Sequence, residues 1–106
     1  MDLFSVSVED HEIAYGAAGT AASPPVGFVH GWGASHQFWR ETVPAFQNRF
    51  RCVAPDLPGF GVSERPRREY TVPSLAASLA KFVDALRLPA FDLVGHSMGG
   101  AIATTF

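Results

Sequence analysis

Three short apolar runs constrain this chain more than any other feature. They are "VGFVHG" (Val26–Gly31), "RCVAPDLPG" (Arg51–Gly59) and "FDLVGHS" (Phe91–Ser97). None alternates apolar with polar residues along its strand, so each reads as a strand buried on both faces. Segments long enough for a helix separate them. In "ASHQFWRETVPAFQNRF", Phe38, Trp39, Val43 and Phe46 fit helical spacing and Ser35 can cap, while Pro44 should break or restart the helix. In the second segment Thr71 can cap, and Pro73 is tolerated in the first turn. Leu75, Leu79, Phe82, Val83 and Leu86 then fall on one helical stripe, and Pro89 stands just beyond its end. Parallel strands joined by helical crossovers give an α/β fold, with right-handed connections.

A different pattern precedes these runs. In "LFSVSVED", Phe4, Val6 and Val8 share one face, and "HEIAYGAAG" follows across Glu9–Asp10. Period two on both sides of a short acidic turn predicts a β-hairpin. The expected order is a hairpin, then β-α-β-α-β, then the start of a helix at "MGGAIATTF".

Composition excludes several roles. The net charge of −2 provides no electrostatic basis for nucleic-acid binding, and "ERPRRE" (Glu64–Glu69) reads as a solvated loop. No run approaches the roughly 18 apolar residues of a membrane helix, so no membrane association is expected. The N-terminus lacks a basic region followed by an apolar stretch, so a cytoplasmic location is expected. Cys52, the single cysteine, has no internal partner and reads as a buried strand residue.

The end of the third run carries chemistry. Gly95-His96-Ser97-Met98-Gly99 matches G-x-S-x-G between a predicted strand and a predicted helix. That context describes a sharp turn that exposes a nucleophilic serine at its apex. The turn strains Ser97, and side chains at 95 and 99 would collide with neighbouring backbone. Gly100 is expected to let the helix pack against the sheet. The helix N-terminus directs unpaired N–H groups toward the serine. A second loop, His30-Gly31-Trp32-Gly33, leaves the first buried strand. It can bring a second N–H beside the serine, since a tetrahedral intermediate is held by two donors. Met98 and Trp32 are the candidate donors. His30 is expected to brace its loop, and Asp56 to hydrogen-bond its own loop. Trp32, Phe38, Trp39 and Phe60 are candidates either for an apolar acyl pocket or for core.

Together, "HGWGAS", "APDLPGFGVSE" and "LVGHSMGG", in this order and spacing, resemble the α/β-hydrolase family, in the branch with short HG-x-G oxyanion loops. The resemblance covers nearly the whole chain. It implies Ser97 as nucleophile, the N–H groups of Trp32 and Met98 as oxyanion hole, and His30, Gly31, Gly95 and Gly99 as motif support. It implies a small-molecule acyl substrate and neither metal nor organic cofactor. Haloalkane dehalogenases and epoxide hydrolases resemble this pattern but carry aspartate where this chain has Ser97, so the serine implies an acyl-enzyme. C–C bond hydrolysis and perhydrolase or acyltransferase reactions remain open alternatives. So does a non-catalytic binding module.

In that family the acid and the histidine follow the serine. Residues 98–106 hold neither, and His11, His30, His36 and His96 all precede it. Residues 1–106 are therefore expected to form one partial domain without the later strands, cap, acid and histidine. The isolated chain is expected to be inactive and to need that remainder or another chain. Its last strand should present an unpaired apolar edge.

Overall fold

The computed structural model describes residues 1–106. β1 (Asp2–Val8) and β2 (His11–Ala18) form the antiparallel hairpin, in register from Asp2↔Ala17 to Val8↔His11. Glu9 in the turn takes a positive φ of 56°. β3 (Pro25–Val29), β4 (Arg51–Pro55) and β5 (Asp92–Gly95) are the three apolar runs. The sheet order is β1-β2-β4-β3-β5, with β4, β3 and β5 parallel and β2 antiparallel to β4. The α/β sheet expected from the sequence is therefore present.

All five residues of β3 are buried. Their alternation feeds two cores on opposite faces of the sheet. Val29 and Val53 join Leu75, Leu79, Phe82, Val83 and Ile102 on the helical face. Val26, Phe28, Cys52 and Ala54 join Trp39 and Val43 on the other. A strand that contributes to both faces has no polar side, which is why its sequence shows no period of two.

α1 (Val72–Leu86) follows the predicted stripe, with Leu75, Leu79, Phe82 and Val83 buried. Thr71 caps it through a bond from Ser74 N–H, and Ser74 Oγ accepts from Thr71 N–H in return. Arg87 closes it in the left-handed conformation at φ 53°. α2 (Met98–Thr105) follows β5 directly.

Two expectations need correction. The segment between β3 and β4 is not an α-helix but two 3₁₀ turns, His36–Trp39 and Val43–Ala45. Ser35 does cap the first, accepting from Gln37 N–H, and Pro44 sits in the second just after its first residue, Val43. Proline lacks the N–H for an i→i−4 bond and its ring blocks the preceding turn, so a continuous α-helix cannot pass through residue 44. Second, β5 is not buried: Leu93 is half-buried, and Asp92, Val94 and Gly95 are exposed. It pairs only with β3 and leaves its other edge open, with Val94 on the surface. The apolar edge expected from the sequence is there. Strand β1 buries less than its pattern implies: of Phe4, Val6 and Val8 only Val8 is buried, while Ile13 of β2 joins the core. β1 is the opposite sheet edge.

Candidate active site

The site forms where β3 and β5 end side by side. His96 N–H donates to Val29 O at 3.1 Å, continuing the parallel ladder one residue past β5. The chain then reverses into α2 at Ser97, with φ 57° and ψ −120°. That is a strained conformation for a residue with a Cβ, held by structure on both sides. Ser97 is exposed. The turn works because its neighbours lack side chains. A Cβ on Gly95 would lie 2.3 Å from Gly99 O, and one on Gly99 would lie 2.1 Å from Val29 O. Gly99 is thus the point where the backbone of α2 meets that of β3. Gly100, expected to provide that contact, has only ordinary room requirements, at 3.7 Å from Gly95 O. One residue of helix phase decides which glycine faces the strand.

The loop leaving β3 folds against this turn. A Cβ on Gly31 would lie 3.3 Å from Ser97 Cβ, 3.2 Å from His96 O and 3.7 Å from Met98 N. Trp32, the next residue, has a backbone N–H without an intramolecular acceptor. Met98 is the first residue of α2, and no carbonyl within that helix can reach its N–H. The two candidate donors therefore belong to two loops in contact at the serine.

His30 anchors the loop. It is fully buried, with Nδ1 2.7 Å from Gly31 O and Nε2 accepting from Leu57 N–H at 3.0 Å. A ring that donates at one nitrogen and accepts at the other is neutral. Burial, the largest influence, pulls its pKa below the usual histidine value. Bracing, the role expected from the sequence, is what the ring does.

No histidine of the chain is poised over Ser97 as a base. His96 stacks on Phe38, with ring centroids 4.4 Å apart. His11 lies in the hairpin. His36 is directed to Asp56, with Nδ1 2.8 Å from Oδ1.

That pairing was not legible in the sequence. Asp56 is fully buried at the end of β4. Its Oδ1 also accepts from His36 N–H at 2.5 Å, and Oδ2 accepts from Val62 N–H at 3.0 Å. It therefore does bond its own loop, as expected, but it also ties the loops after β3 and β4 together. Ser63 ties the loop after β4 to β2, donating to Asp56 O and accepting from Ala14 N–H. Buried carboxylates need such partners, so the signal was the acidic residue inside an apolar run.

The candidate aromatic residues divide. Trp39 and Phe60 are buried, Trp39 in the core against Phe28. Phe38 lies exposed on His96. Trp32 is 67% exposed and packs edge-on against Phe60.

The alpha/beta hydrolase fold family matches residues 24–106. The chain belongs to that family. Among curated relatives it is 43% identical over 89 residues to 2-hydroxy-6-oxo-2,4-heptadienoate hydrolase of Pseudomonas putida, covering 80% of this chain and 32% of that protein. It is 31% identical over 99 residues to a soluble epoxide hydrolase of Corynebacterium sp., covering 93% and 34%. Among solved structures it superposes on a bacterial membrane phospholipase A with a TM-score of 0.94 at 38% identity, covering 96% of this chain and 33% of that one. The chain thus spans about a third of the length of these relatives. Its relatives in this fold family are hydrolases of different chemistry. No helix of the chain is long and apolar enough to cross a membrane.

Proposed function

We propose that this chain contributes the nucleophile and the oxyanion hole of a serine hydrolase acting on acyl compounds such as carboxylic esters. The observation that carries this reading is the backbone of Ser97 at φ 57°, exposed between β5 and α2 and backed by Gly31. In this reading a base takes the Ser97 proton and Oγ attacks the acyl carbon. The oxygen that becomes negative accepts from the N–H groups of Trp32 and Met98. The leaving group departs with the proton, and water then attacks the acyl-enzyme and releases the acid.

The histidine and carboxylate for these steps come, in this reading, from outside residues 1–106. His30 is a neutral brace, His36 holds Asp56, and His96 lies on Phe38. An oxyanion hole and nucleophile without their base retain only a small fraction of the rate. The working unit therefore includes a further segment or another chain.

A second reading is supported by one observation, the 43% identity to a hydrolase of a 2-hydroxy-6-oxo-dienoate. In that reading the carbon attacked in this protein's substrate is a ketone and the bond broken is C–C, while Ser97 and the N–H groups of Trp32 and Met98 keep their roles.

Fluorophosphonate labelling tests the common core of both. Label on Ser97, lost in Ser97→Ala, is expected once the histidine and carboxylate are present. No label on such an assembly would overturn the proposal and favour a binding module.

A further inference from the structure

Beside the oxyanion loop lies a cleft of about 370 Å³ that Ser97 does not line. Trp32, Phe60 and Tyr70 form its apolar walls, and Arg65 supplies its only formal charge. Trp32 is shared between this cleft and the loop that carries the candidate oxyanion donor. Gly59 shapes the opposite wall: at φ +88° it has no Cβ to meet the Tyr70 ring, which would otherwise stand 2.7 Å away.

Arg65 is held but not neutralised. One guanidinium nitrogen donates to Gly59 O at 2.6 Å and the other reaches toward Gly61 O at 3.5 Å. Both acceptors are backbone carbonyls, so the charge is fixed in place without a counter-ion. The two ion pairs of the chain, His36–Asp56 and Lys81–Glu9, do not include it. The adjacent Glu64 accepts from Glu12 N–H at 2.5 Å. Asp56, beneath Gly61, is engaged by His36 and Val62. No carboxylate lines the cleft.

An oriented guanidinium at the rim of an aromatic cleft matches an organic anion with an apolar body. We propose that this cleft receives the carboxylate-bearing end of the substrate, with the carboxylate on Arg65 and the hydrocarbon against Trp32, Phe60 and Tyr70. This rests on the serine-hydrolase reading and narrows its substrates to acyl compounds that carry a second, anionic group.

Hexanoate and hexanamide are matched probes that differ in charge, and their binding needs no catalysis. Exposed Trp32 reports occupancy by fluorescence, with Trp39 buried as a constant background. The native protein is expected to bind hexanoate up to about fivefold more tightly than hexanamide, the modest preference of a solvent-accessible pair. Arg65→Met should abolish that preference, and Arg67→Met, on the same loop, should retain it. In an assembly that supplies the histidine and carboxylate, hexanoate should also slow fluorophosphonate labelling of Ser97. Equal affinity of the native protein for the two probes would overturn the inference, with no variant needed. Hexanoate binding that leaves labelling unaffected would overturn the substrate assignment. Failure of the underlying reading is distinct: hexanoate preference dependent on Arg65 but no label on Ser97 in an assembly that supplies the histidine and carboxylate removes the hydrolase and leaves an anion site. Label without charge preference removes the anion site alone.

Discussion

Gly31 and Ser97 are in contact across two loops: a methyl on the glycine would sit 3.3 Å from Ser97 Cβ. Their contact sets the distance between the loop after β3 and the serine turn. Gly31→Ala is therefore expected to displace the turn by a few tenths of an ångström without unfolding the sheet. Displacements on the order of 1 Å cost about a hundredfold in rate, so a drop of about tenfold in Ser97 labelling is expected. Rates measured beside an unchanged thermal midpoint check this.

The two glycines of α2 should respond oppositely. Gly99→Ala places a methyl 2.1 Å from Val29 O, a backbone atom that cannot rotate away. A loss of about 3 kcal/mol or more is expected, from overpacking against the sheet. Gly100→Ala meets nothing closer than 3.7 Å and gains helix propensity, up to about 1 kcal/mol. Urea midpoints of the two variants decide it. Equal midpoints would refute the assignment of Gly99 as the contact residue.

His30 makes stability depend on pH. Its folded pKa lies below the unfolded value because burial disfavours the imidazolium. The unfolded chain therefore binds more protons between the two values, and stability falls as pH drops below about 6.5. Protonation also removes the acceptor for Leu57 N–H. Chemical denaturation at stepped pH should show this slope, and His30→Gln should flatten it.

Asp56 acts through structure. Its carboxylate is buried and accepts three hydrogen bonds from two loops. Asp56→Ala leaves those donors unpaired in the interior, at about 3–5 kcal/mol. Labelling of Ser97 should fall only with the folded fraction. A stable variant with abolished labelling would mean that Asp56 has a direct catalytic part.

Much of this was legible in the residues. The hairpin showed as period two, the central strands as unbroken apolar runs, and α1 as a stripe between Thr71 and Pro89. The serine turn was readable because Gly95 and Gly99 have no substitutes where backbone packs on backbone. What failed to show was set by neighbours distant in sequence. Phe38, Trp39, Val43 and Phe46 read as one helical face with a break at Pro44, but spacing does not tell an α-helix from the two 3₁₀ turns that pack Trp39 and Val43 against β3 and β4. β5 read as buried because an apolar run does not record how many strands flank it.

By itself, then, the sequence determined the local elements, the glycines of the serine turn and the family to which they point, because each follows from steric demands within a few residues. Only the tertiary structure decided that Asp56 joins His36, that Gly99 rather than Gly100 meets Val29, and that Arg65 stands unpaired beside Trp32. Those outcomes depend on which loops the sheet order brings together, and strands 1-2-4-3-5 place side by side segments that the chain keeps 20 or more residues apart.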